Sequence, residues 1–139
     1  MINRVKYSLL VAAMALAGTA HADSVKIGFV STLTTPAGVI GADIKNSVEL
    51  ALQHINNKMA NLDVELFLED DGFKPDVGKQ LFERYVKRDK VDFMTGVVFS
   101  NIMLAGLPEA VGEKTFYLSP NAAPSPIARC LVGVEALYQ

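Results

Sequence analysis

Three short stretches of this sequence combine hydroxyl groups, small residues and main-chain amides in loops. They are the hydroxyl-rich segment Ser31–Gly38, the segment Val97–Asn101 and the segment Ser119–Pro124. Such groups can hold a carboxylate or another small polar head group through hydrogen bonds, without a metal. A fourth stretch, Glu69–Gly72, carries three acids that could ligate calcium, although acids at a strand end more often form a solvated turn.

The sequence lacks the motifs of common enzymes and metal sites. No Gly-x-Ser-x-Gly segment surrounds a serine, and no Gly-x-x-x-x-Gly-Lys loop is present. Cys130 is the only cysteine, so neither a paired-cysteine zinc site nor an intrachain disulfide can form. We therefore expect no catalytic residue, no cofactor and no resident metal.

Each of these loops follows a segment with the character of a β-strand. Val25–Val30 is short and mostly apolar, and Leu62–Leu68 alternates apolar with polar residues. Val91–Thr95 and Thr115–Leu118 are predicted to be the third and fourth strands.

Helical patterns separate the strands. The first helix ends near Asn56-Asn57, and its apolar stripe comprises Ile44, Val48, Ala51, Leu52 and Ile55. Pro75 is suited to open the second helix, whose buried stripe comprises Val77, Leu81, Tyr85 and Val86. Ile102–Val111 is a short third helix, with Pro108 inside it or near its end.

The alternation of strands and helices predicts an α/β fold. Its sheet should be mainly parallel and doubly wound, with helices on both faces in three layers. Ligands of such sheets bind beyond the carboxyl ends of the strands. We therefore expect Ser31, Ser100 and the loop of Asn121 and Ala123 to lie along one edge and face a common cleft.

The N-terminus has the pattern of a cleavable signal peptide. Arg4 and Lys6 precede the uncharged apolar run Ser8–Gly18, and Ala20-His21-Ala22 places small residues at the positions that signal peptidase reads. Cleavage after Ala22 is predicted. The run is shorter than the ~20 residues of a membrane-spanning helix, so we expect a secreted mature chain that does not insert in the membrane.

Composition narrows the range of partners. The 139 residues carry 13 basic and 15 acidic side chains, and the formal net charge is −2. Loss of Arg4 and Lys6 with the leader would make the mature chain more acidic. Nucleic acid is therefore a poor partner, because it requires a basic face.

Several motifs, in order, resemble one family. They are Val25–Ala37, Asn46–Asn57, Glu69–Gly72 with Pro75 and Gly78, Lys90–Gly96 and Phe116–Pro124. The sequence is similar to the solute-binding proteins of ABC transporters, in the branched-chain amino-acid (Leu/Ile/Val) group with the type I periplasmic binding fold. The resemblance implies two lobes that close on a ligand, and a permease in the inner membrane as partner.

The resemblance also suggests ligand-binding positions. Ser100 matches the serine whose hydroxyl meets the ligand carboxylate. Asn121 and Ala123 match loop positions that offer main-chain amides, and Ile40 matches a position that packs on the ligand. In the Leu/Ile/Val binders a threonine stands where this chain has Ala123. The missing hydroxyl favours a plain carboxylate, such as an aromatic or short organic acid, over an α-amino acid.

The resemblance further implies a domain organisation. We expect a signal peptide over residues 1–22, a partial N-terminal lobe over residues 23–128 and a tail without a family counterpart over residues 129–139. On this basis the chain is expected to be a truncated family member that binds solute poorly.

Two other functions fit the same fold. One is the ligand-sensing domain of a receptor or regulator, and the other is a small α/β enzyme, which would require a catalytic base near Ser100. Ser100 could also act only as a helix N-cap, a position that favours serine.

Overall fold

The structure, a computed structural model, describes residues 24–125. The predicted signal peptide with its cleavage site at Ala22, and the predicted tail over residues 129–139, lie outside the described residues. The strands are β1 (Ser24–Ser31), β2 (Lys58–Met59), β3 (Leu62–Asp70), β4 (Phe93–Thr95) and β5 (Phe116–Leu118). The helices are α1 (Gly38–His54), α2 (Pro75–Glu83), which continues as a π-helical segment over Arg84–Asp89, and α3 (Ser100–Gly112).

The strands form one sheet in the order β2-β3-β1-β4-β5. The four strands from β3 to β5 are parallel, and only β2 is antiparallel to its neighbour. The chain moves from β1 to β3 in one direction, and then through β4 to β5 in the other. Connections between parallel strands are right-handed as a rule, so this order places α1 on one face of the sheet and α2 and α3 on the other. The predicted doubly wound, mainly parallel α/β fold is confirmed.

The main core lies between the sheet and the pair α2 and α3. One row across the sheet faces these helices and consists of Phe67, Gly28, Met94 and Tyr117. Gly28 leaves room there, because a Cβ at this position would come within 2.9 Å of the Tyr85 ring. Leu81, Tyr85 and Val86 are buried, as their helical spacing predicts.

The apolar stripe of α1 is buried less than its spacing suggests. Of its five predicted members, only Leu52 is buried, and Ala51 and Ile55 are exposed. The helix also begins earlier than the apolar pattern, at Gly38, in what the sequence indicates to be loop.

A fifth strand, β2, was not expected from the sequence. It pairs with β3 through the two-residue turn Ala60-Asn61, in which both residues have positive φ angles, 50° and 68°. That is the backbone of a tight hairpin turn whose twist matches the strands. Two residues, Lys58 and Met59, are too few to show a β periodicity, so the expected four strands become five.

Candidate functional site

The loops that the sequence singles out lie at one edge of the sheet. Four parallel strands end there, at Ser31, Asp70, Thr95 and Leu118. Their pairing register aligns Ser31 with Asp70, and Thr95 with Leu118. This edge is the carboxyl end of the sheet, where ligands of doubly wound folds bind.

A side-chain hydrogen bond connects two of these loops directly. The amide Nδ2 of Asn121, after β5, donates to the main-chain carbonyl of Val98, after β4, over 2.8 Å. Within the β5 loop, the hydroxyl of Ser119 donates to the carbonyl of Ala122. The structure thus brings Asn121 next to the segment that leads into Ser100.

Ser100 is the first residue of α3 and is partly buried. Phe99 occupies the N-cap position, and no side chain caps the helix. The alternative that Ser100 is merely an N-cap is therefore not realised. The main-chain amides of Ile102 and Met103 both donate to the carbonyl of Phe99, over 3.2 and 3.0 Å. The amides that precede them, at the start of the helix, have no partner within it and can serve an anionic group.

Two further candidate residues lie in exposed positions. Ile40 stands in the first turn of α1 with 45% of its surface exposed. Ala123 is exposed in the β5 loop, between the buried residues Ala122 and Pro124. Both Ile40 and Ala123 are therefore accessible to a ligand at this edge.

Ser31 does not behave as the sequence suggests. It lies at the expected edge, but its side chain is fully buried and no hydrogen-bond partner reaches its Oγ. A Cβ added to Gly41 would stand 2.8 Å from this oxygen and 2.0 Å from the carbonyl of Thr32. The side chain therefore faces α1, which packs closely on the loop, and the expectation that Ser31 faces the cleft is wrong.

Gly96 shapes the loop after β4. Its φ angle is +103°, which L side chains rarely adopt, and a Cβ there would meet the carbonyl of Val30 at 2.8 Å and the Phe29 ring at 2.9 Å. Glycine therefore lets the loop pass closely over β1 on its way to Ser100.

Asp70 holds the loop after β1. Its Oδ1 accepts hydrogen bonds from the amides of Leu33 (2.8 Å) and Gly72 (2.9 Å), and its Oδ2 accepts one from the hydroxyl of Thr34. Burial opposes the charge, but the hydrogen bonds from Thr34, Leu33 and Gly72 outweigh it and lower the pKa of Asp70. Asp70 is thus an anionic anchor of the β1 loop.

Asp71 is fully buried, so this acid is not part of a solvated turn. Its Oδ1 accepts hydrogen bonds from the hydroxyl of Thr32 (2.5 Å) and the amide of Phe73 (2.8 Å), whereas its Oδ2 is buried without a partner. Burial raises the pKa of Asp71, and the nearby charge of Asp70 adds to this effect, although the two hydrogen bonds partly offset it.

A tight turn follows Asp71. The amide of Lys74 donates to the carbonyl of Asp71 over 3.0 Å, and the two central residues, Gly72 and Phe73, have φ angles of 57° and 62°. Glycine adopts this backbone easily, but a side chain there costs about 1–2 kcal/mol. Phe73 is therefore held in an unfavourable conformation, and the hydrogen bond from its amide to Asp71 is one of the contacts that hold it.

The ring of Phe73 packs on Phe99. Their centroids are 4.5 Å apart and the rings meet edge to face at 71°. Phe73 is 46% exposed, whereas Phe99 is partly buried against the main core. This contact joins the turn after β3 to the residue that immediately precedes Ser100.

Neither a cluster of metal-ligating side chains nor a membrane-spanning helix occurs within residues 24–125. No three His, Cys, Asp or Glu side chains lie together so that they could hold a metal ion. None of the helices in that range has the length and apolar character that are needed to cross a membrane.

The sequence did not identify the acids as loop anchors or Phe73 as a contact of Phe99. The anchor role has a weak sequence signal, since two acids end a strand directly before a glycine and a helix-opening proline. The contact between Phe73 and Phe99 has none, because the residues lie far apart along the chain and in different loops.

Comparison with known proteins adds to this geometry. A family described as "Periplasmic binding protein" matches residues 24–130 of the chain. The chain is 32% identical over 128 residues to the Leu/Ile/Val-binding protein BraC3 of Rhizobium johnstonii, an alignment that covers 90% of this chain and 34% of the relative.

Two solved structures share the fold closely. An ABC transporter substrate-binding protein from Sphaerobacter thermophilus superposes with a TM-score of 0.72 at 25% identity, over 83% of this chain and 30% of that protein. A solute binding protein of an ABC transporter from Rhodopseudomonas palustris BisB5, in complex with 3,4-dihydroxybenzoic acid, gives a TM-score of 0.72 at 26% identity, over 76% and 29%. The chain thus spans about a third of the length of the relatives it matches.

Proposed function

The chain belongs to the periplasmic binding protein family, and we propose that it captures a small carboxylate-bearing solute for uptake by an ABC transporter. Proteins of this family are substrate-binding proteins of ABC transporters and not enzymes. The absence of enzyme motifs from the sequence agrees with this membership.

The observation that carries the proposal is the shared edge of Ser100 and Asn121. The 2.8 Å bond from Asn121 to the carbonyl of Val98 holds the β5 loop against the start of α3. The partly buried hydroxyl of Ser100 and the first amides of α3 then point to an anionic head group, because the N-terminus of a helix favours negative charge.

The class of solute follows from Ala123 and from the relatives. One relative is a Leu/Ile/Val-binding protein, and one structural neighbour is in complex with 3,4-dihydroxybenzoic acid. Ala123 cannot donate the side-chain hydrogen bond that a threonine would give to an amino-acid head group. We therefore favour an aromatic or short organic acid over a branched-chain amino acid.

The proposed location and partner accompany this function. A signal peptide cleaved after Ala22 would place the mature chain in the periplasm, and an inner-membrane ABC permease would receive the solute. The mass of the exported protein tests the first point. A protein that begins at Asp23 is expected, and an intact Met1 end would contradict it.

The experiment that tests binding is an equilibrium screen of the purified chain. Benzoate, 3,4-dihydroxybenzoate, leucine, isoleucine and benzamide are compared by equilibrium dialysis. We expect weak binding of the carboxylates, in line with the expectation for a partial lobe, and no detectable binding of benzamide, which lacks the charge. Equal retention of benzamide and benzoate, or retention of none, would contradict the proposal.

Ser100→Ala is the matched variant in this screen, because it removes one hydroxyl and keeps the helix. Ser47→Ala is its control, since Ser47 lies exposed on α1, where its hydroxyl donates to the carbonyl of Asp43. Ser100→Ala should weaken carboxylate binding roughly tenfold, as expected for a lost hydrogen bond to a charged group. Ser47→Ala should leave it unchanged.

A further inference from the structure

We propose that the contact between Phe73 and Phe99 positions Ser100 for the ligand head group. Phe73 and Phe99 are then positioning residues, which act through the start of α3 without touching the solute. The inference rests on the proposed function, because it takes Ser100 as a contact of the carboxylate.

The contact spans two loops that the sheet does not connect directly. Phe73 belongs to the turn after β3, and Phe99 ends the loop after β4, while β1 lies between these two strands in the sheet. The rings meet edge to face, with 4.5 Å between their centroids. This is the arrangement that aromatic pairs favour beyond simple burial of area.

The backbone shows that the position of Phe73 is imposed. Its φ angle is +62°, and the amide of Phe73 donates to the buried carboxylate of Asp71 over 2.8 Å. The same carboxylate oxygen accepts a hydrogen bond from Thr32 in the β1 loop. The buried carboxylate of Asp71 therefore holds the turn against the β1 loop, and the exposed ring of Phe73 contacts Phe99.

Phe99 transmits the contact to Ser100 because it is the N-cap of α3. Its carbonyl accepts hydrogen bonds from the amides of Ile102 and Met103, and no side chain caps the helix in its place. The orientation of the Phe99 backbone thus sets the first turn of α3, including the neighbouring Ser100. A ring that holds Phe99 holds this turn as well.

Three variants of Phe73 separate the ring from the strained backbone. Phe73→Tyr keeps the ring, Phe73→Leu keeps an apolar side chain without a ring, and Phe73→Gly removes the side chain but suits the positive φ angle. Because glycine favours that backbone, Phe73→Gly is expected to fold even if Phe73→Leu does not.

The first readout is amide hydrogen exchange by NMR on the full chain without ligand. The amides of Ile102 and Met103 report the first turn of α3, and those of Ile27 and Phe29 in β1 serve as the reference. In Phe73→Gly and Phe73→Leu, exchange at the two helix amides should be roughly two- to tenfold faster, the range that loss of an aromatic pair predicts. The β1 amides should be unchanged, and Phe73→Tyr should match the parent chain.

The second readout is the affinity for 3,4-dihydroxybenzoate, measured by NMR titration of the same proteins. It should weaken roughly two- to tenfold in the Gly and Leu variants and recover in Phe73→Tyr. Unaltered exchange at Ile102 and Met103, equal acceleration in β1, or faster exchange with unaltered affinity would each overturn the inference.

The two readouts also distinguish failure of this inference from failure of the proposed function. If the parent chain binds no carboxylate, the proposed function fails, and the inferred role toward a head group fails with it. If the parent chain binds and Phe73→Gly binds equally well, only the positioning role is refuted.

Discussion

The side-chain amide of Asn121 donates a 2.8 Å hydrogen bond to the main-chain carbonyl of Val98. Asn121 follows β5 and Val98 follows β4, so one bond fixes the spacing of the two loops on either side of the candidate head-group site. Val98 is almost fully buried, which leaves its carbonyl little access to water if the bond is lost.

Asn121→Ala should therefore lower the free energy of unfolding by about 1–2 kcal/mol, because it leaves a buried acceptor without its donor. Urea unfolding followed by circular dichroism measures this. Asn46→Ala is the control, since Asn46 lies exposed within α1 and alanine favours a helix. A loss of stability no larger than that of Asn46→Ala would show that the loop bond is unimportant.

The buried Asp71 should make stability depend on pH in an unusual direction. Burial raises its pKa above 3.8 in the folded protein, so the folded chain binds this proton more tightly than the unfolded chain does. The contribution of Asp71 to the stability of the fold is fully present below pH 3.8, its ordinary pKa. It is lost as the pH rises through the pKa of the folded protein. Acids of lowered pKa, such as Asp70, act in the opposite direction.

Asp71→Asn tests this because it keeps an oxygen for Thr32 and Phe73 but carries no charge. Its free energy of unfolding should equal or exceed that of the parent at about pH 7, and the difference should shrink toward about pH 4. Asp71→Ala should be less stable than Asp71→Asn by about 1–3 kcal/mol at both pH values, because it leaves the buried donors of Thr32 and Phe73 without a partner. A parent chain that is more stable than Asp71→Asn at neutral pH would refute the claim that burial raises the pKa of Asp71.

Gly96→Ala should strongly destabilise the chain. Alanine at a positive φ angle costs about 1–2 kcal/mol, and the methyl group would also press on the carbonyl of Val30. A total loss of at least about 2 kcal/mol is expected in urea unfolding. Gly112→Ala is the matched control, because no atom lies within 4 Å of its added Cβ. Similar stability of the two variants would contradict the geometry of the β4 loop.

Ala123→Thr should change which solute is preferred. The added hydroxyl can donate to or accept from an amino-acid head group, and the position is exposed, so the larger side chain can be accommodated. Affinity for leucine should rise up to roughly tenfold, while affinity for 3,4-dihydroxybenzoate should change little. Ala123→Val, which adds similar volume without the hydroxyl, should produce no gain. An equal gain for Ala123→Val would assign the effect to packing.

The sequence predicts the elements with regular patterns and misses those set by contacts between distant residues. β3 is evident from its alternation, and the second helix from Pro75 and its apolar stripe. β2 is too short to have a periodicity, and its turn residues Ala60 and Asn61 include no glycine. α1 begins before its apolar stripe does, because Gly38 and Gly41 allow the helix to approach the β1 loop.

The same distinction between regular patterns and contacts of distant residues applies to the candidate site. The edge that carries Ser100 and Asn121 follows from the parallel order of the strands, which any alternating strand–helix pattern predicts. The burial of Ser31 and Asp71 does not, because it depends on which loop covers which strand end. A hydroxyl or acidic residue at a strand end can face a cleft, anchor a loop or contact solvent, and the sequence is the same in all three cases.

The most direct test of the account is an NMR titration of the isotope-labelled chain with 3,4-dihydroxybenzoate. The largest amide shift changes are expected at Ser100, Asn101 and the loop Asn121–Ala123, at the carboxyl edge of the sheet. The hairpin of β2 and β3 begins at the opposite edge, so the amides of Lys58 and Leu62 should not move. Shift changes that are centred on that hairpin, or none at saturating acid, would contradict the claim that this edge binds a carboxylate.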